Sequence, residues 1–179
     1  MDKYLAYCFL YDDAADLRCD FEISTDEIAS MVGLLRSLVS DSALRDDLSR
    51  INELIYHLNP SLRTETLVTE AELAWLHGKT ERLRAETQGA FAAFADSGKN
   101  VPKFVLPEGC AAACYSHVIR NRCKSLVRLL SRHKQQGNRV DDLVLDFANL
   151  YSGYFYFLAL RLNQDAGVKE TEFRSRAYT

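Results

Sequence analysis

Proline and glycine are scarce: the chain has three prolines and eight glycines in 179 residues. That excludes collagen-like and low-complexity architectures and leaves few points at which a helix is forced to stop. No glycine-rich phosphate-cradling loop occurs anywhere in the sequence, so the common nucleotide fingerprints are missing. Excess positive charge is missing too. With net charge −3 and pI near 5.8, the molecule as a whole has no electrostatic reason to seek nucleic acid or an anionic membrane, and any cationic site must be local. Long apolar runs are absent at the N-terminus, where MDKYLAYCFLYDD holds eight apolar or aromatic residues closed by two aspartates. Such a run is too short for a secretory signal or a bilayer span. The five cysteines, Cys8, Cys19, Cys110, Cys114 and Cys123, are odd in number and lack a disulfide-scaffold spacing, so reduced thiols in a cytoplasmic protein are expected.

What is present is helical periodicity. At 20.3 kDa the chain is long enough to bury a core without staples, and one domain over residues 1–179 is expected. Apolar residues recur at three and four along Ile28, Met31, Val32, Leu35, Leu38 and Val39, and again along Leu44, Leu48, Ile51, Ile55 and Leu58 until Asn59-Pro60. Ser24 with Glu27, and Thr69 with Glu72, have capping-box spacing and predict helix starts. The second opens a helix through Trp75, Leu76 and Leu83 toward Phe91 and Phe94. Residues 97–108 hold two prolines and a glycine and read as a loop. A fourth helix is predicted from about Gly109 to Lys134, and a fifth from Val140 to about Asn163. Residues 3–11 alone read as a strand, and residues 165–179 read as a loose polar tail. The pattern predicts an all-α, five-helix antiparallel bundle.

His117, Arg120, Lys124 and Arg128 follow one another at steps of three, four and four, which places four potential cations on one helix face. Two readings are open: a solvated or ion-paired face, or an anion site. Cys110, Cys114 and His117 share a face as well. An i, i+7 pair lies about 10 Å apart along the axis, whereas zinc ligands lie about 2.0–2.3 Å from the metal. Packed thiols are therefore expected and no metal site. The aromatic run Tyr151, Tyr154, Tyr156, Phe155 and Phe157 is dense. Tyr151, Tyr154, Phe155 and Leu158 keep helical spacing and suit a core, but Tyr156 and Phe157 fall off that stripe, as if facing a second apolar contact.

Taken in order, these features resemble the PduO-type ATP:cob(I)alamin adenosyltransferases over roughly residues 20–162. Phe104, Pro107 and Gly109, then His117, Val118, Arg120 and Cys123, match the family's F-x-x-P-x-G and H-V-x-R-x-x-C pattern without a gap. The following R-R-x-E-R falls on Lys124, Ser125, Leu126, Val127 and Arg128, so the first arginine is lysine, the glutamate is valine and the last arginine is kept. The family's D-E-L-N-S resembles Asp26, Glu27, Ile28, Ala29 and Ser30, and its N-R-L-S-D-Y resembles Asn149, Leu150, Tyr151, Ser152, Gly153 and Tyr154. Residues 1–20 depart most: the family's glycine-bearing triphosphate segment is replaced by a glycine-free stretch, whose backbone cannot cradle phosphate in the same way.

The resemblance implies a five-helix bundle assembled as a homotrimer, with sites between subunits, that takes ATP with Mg²⁺ and cobalamin. It implies Arg128, Lys124 and Asp26 as catalytic residues, Arg120, Lys124, Arg128 and Asn149 as ATP-binding, and Phe104 and Tyr154 as corrinoid-binding. Asp26 would pair with Lys124 across a subunit boundary. Lysine is the weaker clamp, because it cannot make an arginine's bidentate contact. Two functional readings follow: an adenosyltransferase with a depleted active site, or a non-catalytic relative that keeps the corrinoid or a protein partner. A structural bundle with accidental matches is a third.

Overall fold

A computed structural model describes residues 10, 12–91, 104–173 and 176. Helix α1, Leu17–Leu38, begins where the Asp16 side chain accepts from Arg18 N–H at 3.1 Å, an N-cap that meets one of the helix's orphan donors. Ser24 therefore lies inside α1, and the capping-box reading of Ser24 and Glu27 is corrected: Asp16 caps the helix earlier in the chain. Val39 turns extended, with φ −96° and ψ 129°, and Asp41 caps α2, Ser42–Leu58, through Leu44 N–H at 3.1 Å. A 3-10 turn, Asn59–Leu62, follows, where Asn59 Nδ2 donates to the Glu22 carbonyl at 2.8 Å and Thr25 Oγ1 at 2.7 Å. Helix α3, Glu70–Glu86, starts at the predicted box: Thr69 N–H donates to Glu72 and Glu72 N–H to Thr69 Oγ1. A short 3-10 turn, Gln88–Phe91, ends this part.

Helix α4, Ala111–Gln135, and helix α5, Asp142–Asp165, are joined by a turn and run antiparallel. Ser116 Oγ, near the start of α4, donates to the Phe155 carbonyl at 2.8 Å, while Lys134 at its end meets Asp142 at 3.3 Å. In packing order α1 lies between α2 and α4, and α5 lies between α4 and α3. The core runs through Phe21, Ile28, Leu35, Leu48, Ile51, Leu76, Phe147, Tyr151 and Phe155, all essentially without exposure. Burying each such side chain contributes about 1.5–3 kcal/mol. Helix α5 is long and apolar enough to span a bilayer, but twelve of its side chains are buried in this bundle.

The tail is less loose than its composition suggests. Strand β2, Glu172–Phe173, pairs antiparallel with β1, Phe104–Val105, putting Phe104 opposite Phe173. Leu106 N–H also donates to the Thr171 carbonyl at 3.0 Å, so backbone pairing ties this segment down where side-chain polarity predicted none. The strand read over residues 3–11 falls outside the described residues apart from Leu10, which lies in a turn. Phe94 is outside them as well.

Candidate functional site

The start of α4 is held by Asn163 rather than by its own cap. Cys110 offers no side-chain cap. Asn163 Oδ1 accepts from Cys110 N–H at 3.0 Å, and its Nδ2 donates to the Glu108 carbonyl at 3.0 Å. This requires Gly109: its φ is +121°, and a Cβ there would lie 2.1 Å from Asn163 Oδ1.

From that anchor α4 presents the stripe. His117 is 2% exposed, and its Nδ1 lies 3.4 Å from Arg120 Nη1. Burial, helped by the Arg120 charge, pushes the His117 ring down to about 4. At neutral pH the ring is therefore uncharged: Nδ1 accepts from the guanidinium, and Nε2 carries the hydrogen. That nitrogen is buried with no partner among the described residues. The reading of four cations is thus corrected to three, because the apolar surroundings disfavour the charged ring. The Arg120 guanidinium sits 5.1 Å from the Tyr156 ring centroid, a cation–π contact, and the His117 and Tyr156 rings are 6.2 Å apart.

Lys124 and Arg128 continue the stripe outward, both exposed. Burial and the neighbouring Arg120 charge lower the Lys124 pKa. Neither Lys124 nor Arg128 has a carboxylate in ion-pair range among the described residues, whereas Arg122, off the stripe, meets Glu27 of α1 at 2.8 Å. Val127 packs against the core, which explains an apolar side chain at that position.

The other expected residues lie elsewhere. Asp26 is exposed on α1 and accepts from Tyr56 Oη at 2.8 Å; within the protomer it makes no pair with Lys124. Asn149 borders a groove of about 430 Å³ between α3 and α5, shared with His77 and Asp146. Phe104 on β1 is 41% exposed beside Phe173 at 46%. Tyr154, expected at the corrinoid, is corrected: it is wholly buried, edge-on to Phe155 at 5.4 Å, because it keeps the helical spacing of the core. Tyr156 and Phe157 are the half-buried pair, 5.2 Å apart. Tyr156, rather than Tyr154, is the tyrosine of this pair that stands beside Arg120, and its signal in the sequence was its place off the core stripe.

Residues 12–16 are acidic and strapped down. Arg63 meets Asp12 at 2.5 Å and also bonds Glu22, and Gln136 Nε2 donates to the Ala15 carbonyl at 3.1 Å. The Arg18 guanidinium holds the Asp16 carboxyl well below the usual carboxylate range. Among the described residues no group of three or more His, Cys, Asp or Glu is placed to hold a metal ion.

Residues 14–162 match the family described as cobalamin adenosyltransferase. Three solved structures of a PduO-type ATP:corrinoid adenosyltransferase from Lactobacillus reuteri share the fold. An arginine-to-lysine variant complexed with ATP is 24% identical, covers 89% of this chain and 88% of its own, and has a TM-score of 0.73. A phenylalanine-to-alanine variant complexed with cobalamin and ATP is 22% identical over 89% of this chain and 87% of its own, at TM-score 0.71. A phenylalanine-to-histidine variant with the same two ligands is 22% identical over 92% and 86%, at TM-score 0.70. No curated protein sequence matches the chain.

Proposed function

The chain belongs to the cobalamin adenosyltransferase family, and from that premise we propose that it transfers the 5′-deoxyadenosyl group of MgATP to cob(I)alamin as a cytoplasmic homotrimer. One observation carries the reading: Lys124 and Arg128 stand exposed and without a carboxylate among the described residues, on the helix that also carries Arg120. Unpaired like charges on one face repel one another, so the arrangement favours an anionic ligand.

In the reaction the reduced cobalt supplies the electron pair that forms the bond to C5′, and the C5′–O bond breaks with its pair leaving on the triphosphate. This chain's part is alignment and stabilisation of the departing charge. Arg128 offers a planar fork to phosphate oxygens and Lys124 a point charge. Arg120, held against Tyr156, serves the same anion from the buried end of the stripe, and Asn149 orients the nucleoside. Phe104, Phe173 and Tyr156 form the apolar wall for the corrinoid. Asp26 of a neighbouring subunit neutralises part of the Lys124 charge; the exposed apolar residues Ile23, Leu34 and Leu38 on the same helix support an assembly through α1.

A second reading, a non-catalytic relative that binds the corrinoid or a protein partner, is favoured by one observation. The segment 12–16 is glycine-free and tied to Arg63 through Asp12, leaving no backbone cradle for triphosphate there. Isothermal titration with MgATP separates the two: saturable binding that Arg128→Ala abolishes supports the enzyme, and no binding at millimolar ATP supports the relative.

A further inference from the structure

Where α3 and α5 end, a cavity of about 490 Å³ opens between Gly89, Leu160, Gln164, Gly167, Lys169 and Glu170. That space is too small for a corrin macrocycle and suits the edge of one. At its margin stands a carboxyl group only half satisfied. Glu170 Oε1 accepts from Asn163 Nδ2 at 2.9 Å, while Oε2 is buried and has no partner among the described residues. A buried acceptor left without a donor is costly and asks for one.

The carboxyl is not free to swing away from the cavity. Asn163 is itself fixed by Cys110 N–H and the Glu108 carbonyl, so it orients Glu170 as it anchors α4. Tyr156, Leu160 and Gln164 follow at steps of four along α5, which makes the cavity wall continuous with the aromatic wall. Burial raises the Tyr156 pKa, the Arg120 charge opposes the rise and the nearby Glu170 charge adds to it. Three residues beyond Glu170, Phe173 pairs with Phe104.

We infer that Glu170 Oε2 accepts a hydrogen bond from a primary amide on the rim of the corrinoid, so that the site selects amidated corrinoids over acidic ones. This rests on the corrinoid reading above. Corrinoids carry primary amides around the ring. An amide fits a carboxyl group in either protonation state, because it offers a donor to the carboxylate and both a donor and an acceptor to the acid. That matters here, since burial raises the Glu170 pKa and the Glu108 charge pushes it the same way, with Asn163 opposing. A carboxylate on the ligand placed against Oε2 would instead meet like charge at a buried oxygen.

The test is absorbance titration of the full chain with cob(II)alamin and with its monocarboxylic acid isomers, each having one rim amide hydrolysed. Wild type is compared with Glu170→Gln and Glu170→Ala. Glu170→Gln keeps an oxygen for Asn163 and removes the charge, so the fold is retained. In wild type one isomer is expected to bind about tenfold more weakly than cobalamin or worse. Glu170→Gln erases that discrimination, and Glu170→Ala weakens cobalamin by about tenfold with MgATP affinity unchanged. The inference is overturned if every isomer binds in the same ratio to cobalamin in wild type and in Glu170→Gln. If wild type gives no spectral change with cobalamin itself, the corrinoid reading falls and takes this inference with it.

Discussion

Replacing Gly109 by alanine attacks the joint on which the α4 stripe is hung. Its φ of +121° is a region that side-chain-bearing residues rarely enter, and holding one there costs on the order of 1–3 kcal/mol. The new Cβ would also sit 2.1 Å from Asn163 Oδ1, so Asn163 must withdraw from Cys110 N–H, with a loss of about 1 kcal/mol for the bond. Together the two effects amount to about 3 kcal/mol, or a fall in melting temperature of about 6–12 °C for a domain of this size. Thermal unfolding followed by circular dichroism measures it. The two losses are also expected not to add. Because Gly109→Ala already displaces Asn163, adding Asn163→Ala should cost clearly less in that background than in wild type. A fall of less than about 2 °C, or two strictly additive losses, would refute the argument that Gly109 exists to admit Asn163.

Three further predictions concern the stripe and its surroundings. The His117 pKa is depressed from 6.5 to about 4, so as pH falls the unfolded chain takes up that proton first. His117's contribution is intact above about pH 6.5 and drains away toward about pH 4, by at most about 3 kcal/mol at about 1.4 per unit. Urea titrations at pH 7 and 4.5 should show a smaller loss for His117→Gln than for wild type, and equal losses would contradict a buried neutral imidazole. Asp26→Ala should shift sedimentation at low protein concentration toward smaller species, while Tyr56→Phe, which removes only the contact within the protomer, leaves the profile unchanged; an unaltered profile for Asp26→Ala speaks against the pair between subunits. Tyr156→Leu removes the ring beneath Arg120 and should weaken corrinoid binding several-fold, whereas Tyr154→Phe, a core change that loses only a hydroxyl without a partner among the described residues, should not.

The bundle was legible because its information is local. Apolar periodicity along α1, α2, α4 and α5, and the Thr69–Glu72 box, are properties of neighbouring residues and carried over directly. The start of α1 was missed because Ser24 and Glu27 have the right spacing, and spacing alone cannot say that Asp16 had already capped the helix. The site was only half legible. That Arg120, Lys124 and Arg128 share a face follows from 3.6 residues per turn. That His117 is uncharged depends on what packs around it, which no spacing reveals. The attachment of the tail to β1 is a pairing between residues 69 positions apart, Phe104 and Phe173, in strands of two residues, too short to leave a periodic signal. Glu170 read as one polar tail residue among many, and its contact with Asn163 and its buried Oε2 distinguish it only in the fold.

The most direct test of the central claim is a single-turnover assay. Cob(I)alamin, generated under reducing and anaerobic conditions, is mixed with MgATP and the protein, and formation of adenosylcobalamin is followed by absorbance, for wild type and for Arg128→Ala. The account predicts enzyme-dependent adenosylcobalamin and release of triphosphate from wild type, with at least about a hundredfold loss in Arg128→Ala, the scale on which one preorganised charge contact acts. No adenosylcobalamin above the protein-free control, from wild type that binds cobalamin, would contradict it and leave the non-catalytic corrinoid binder as the surviving reading.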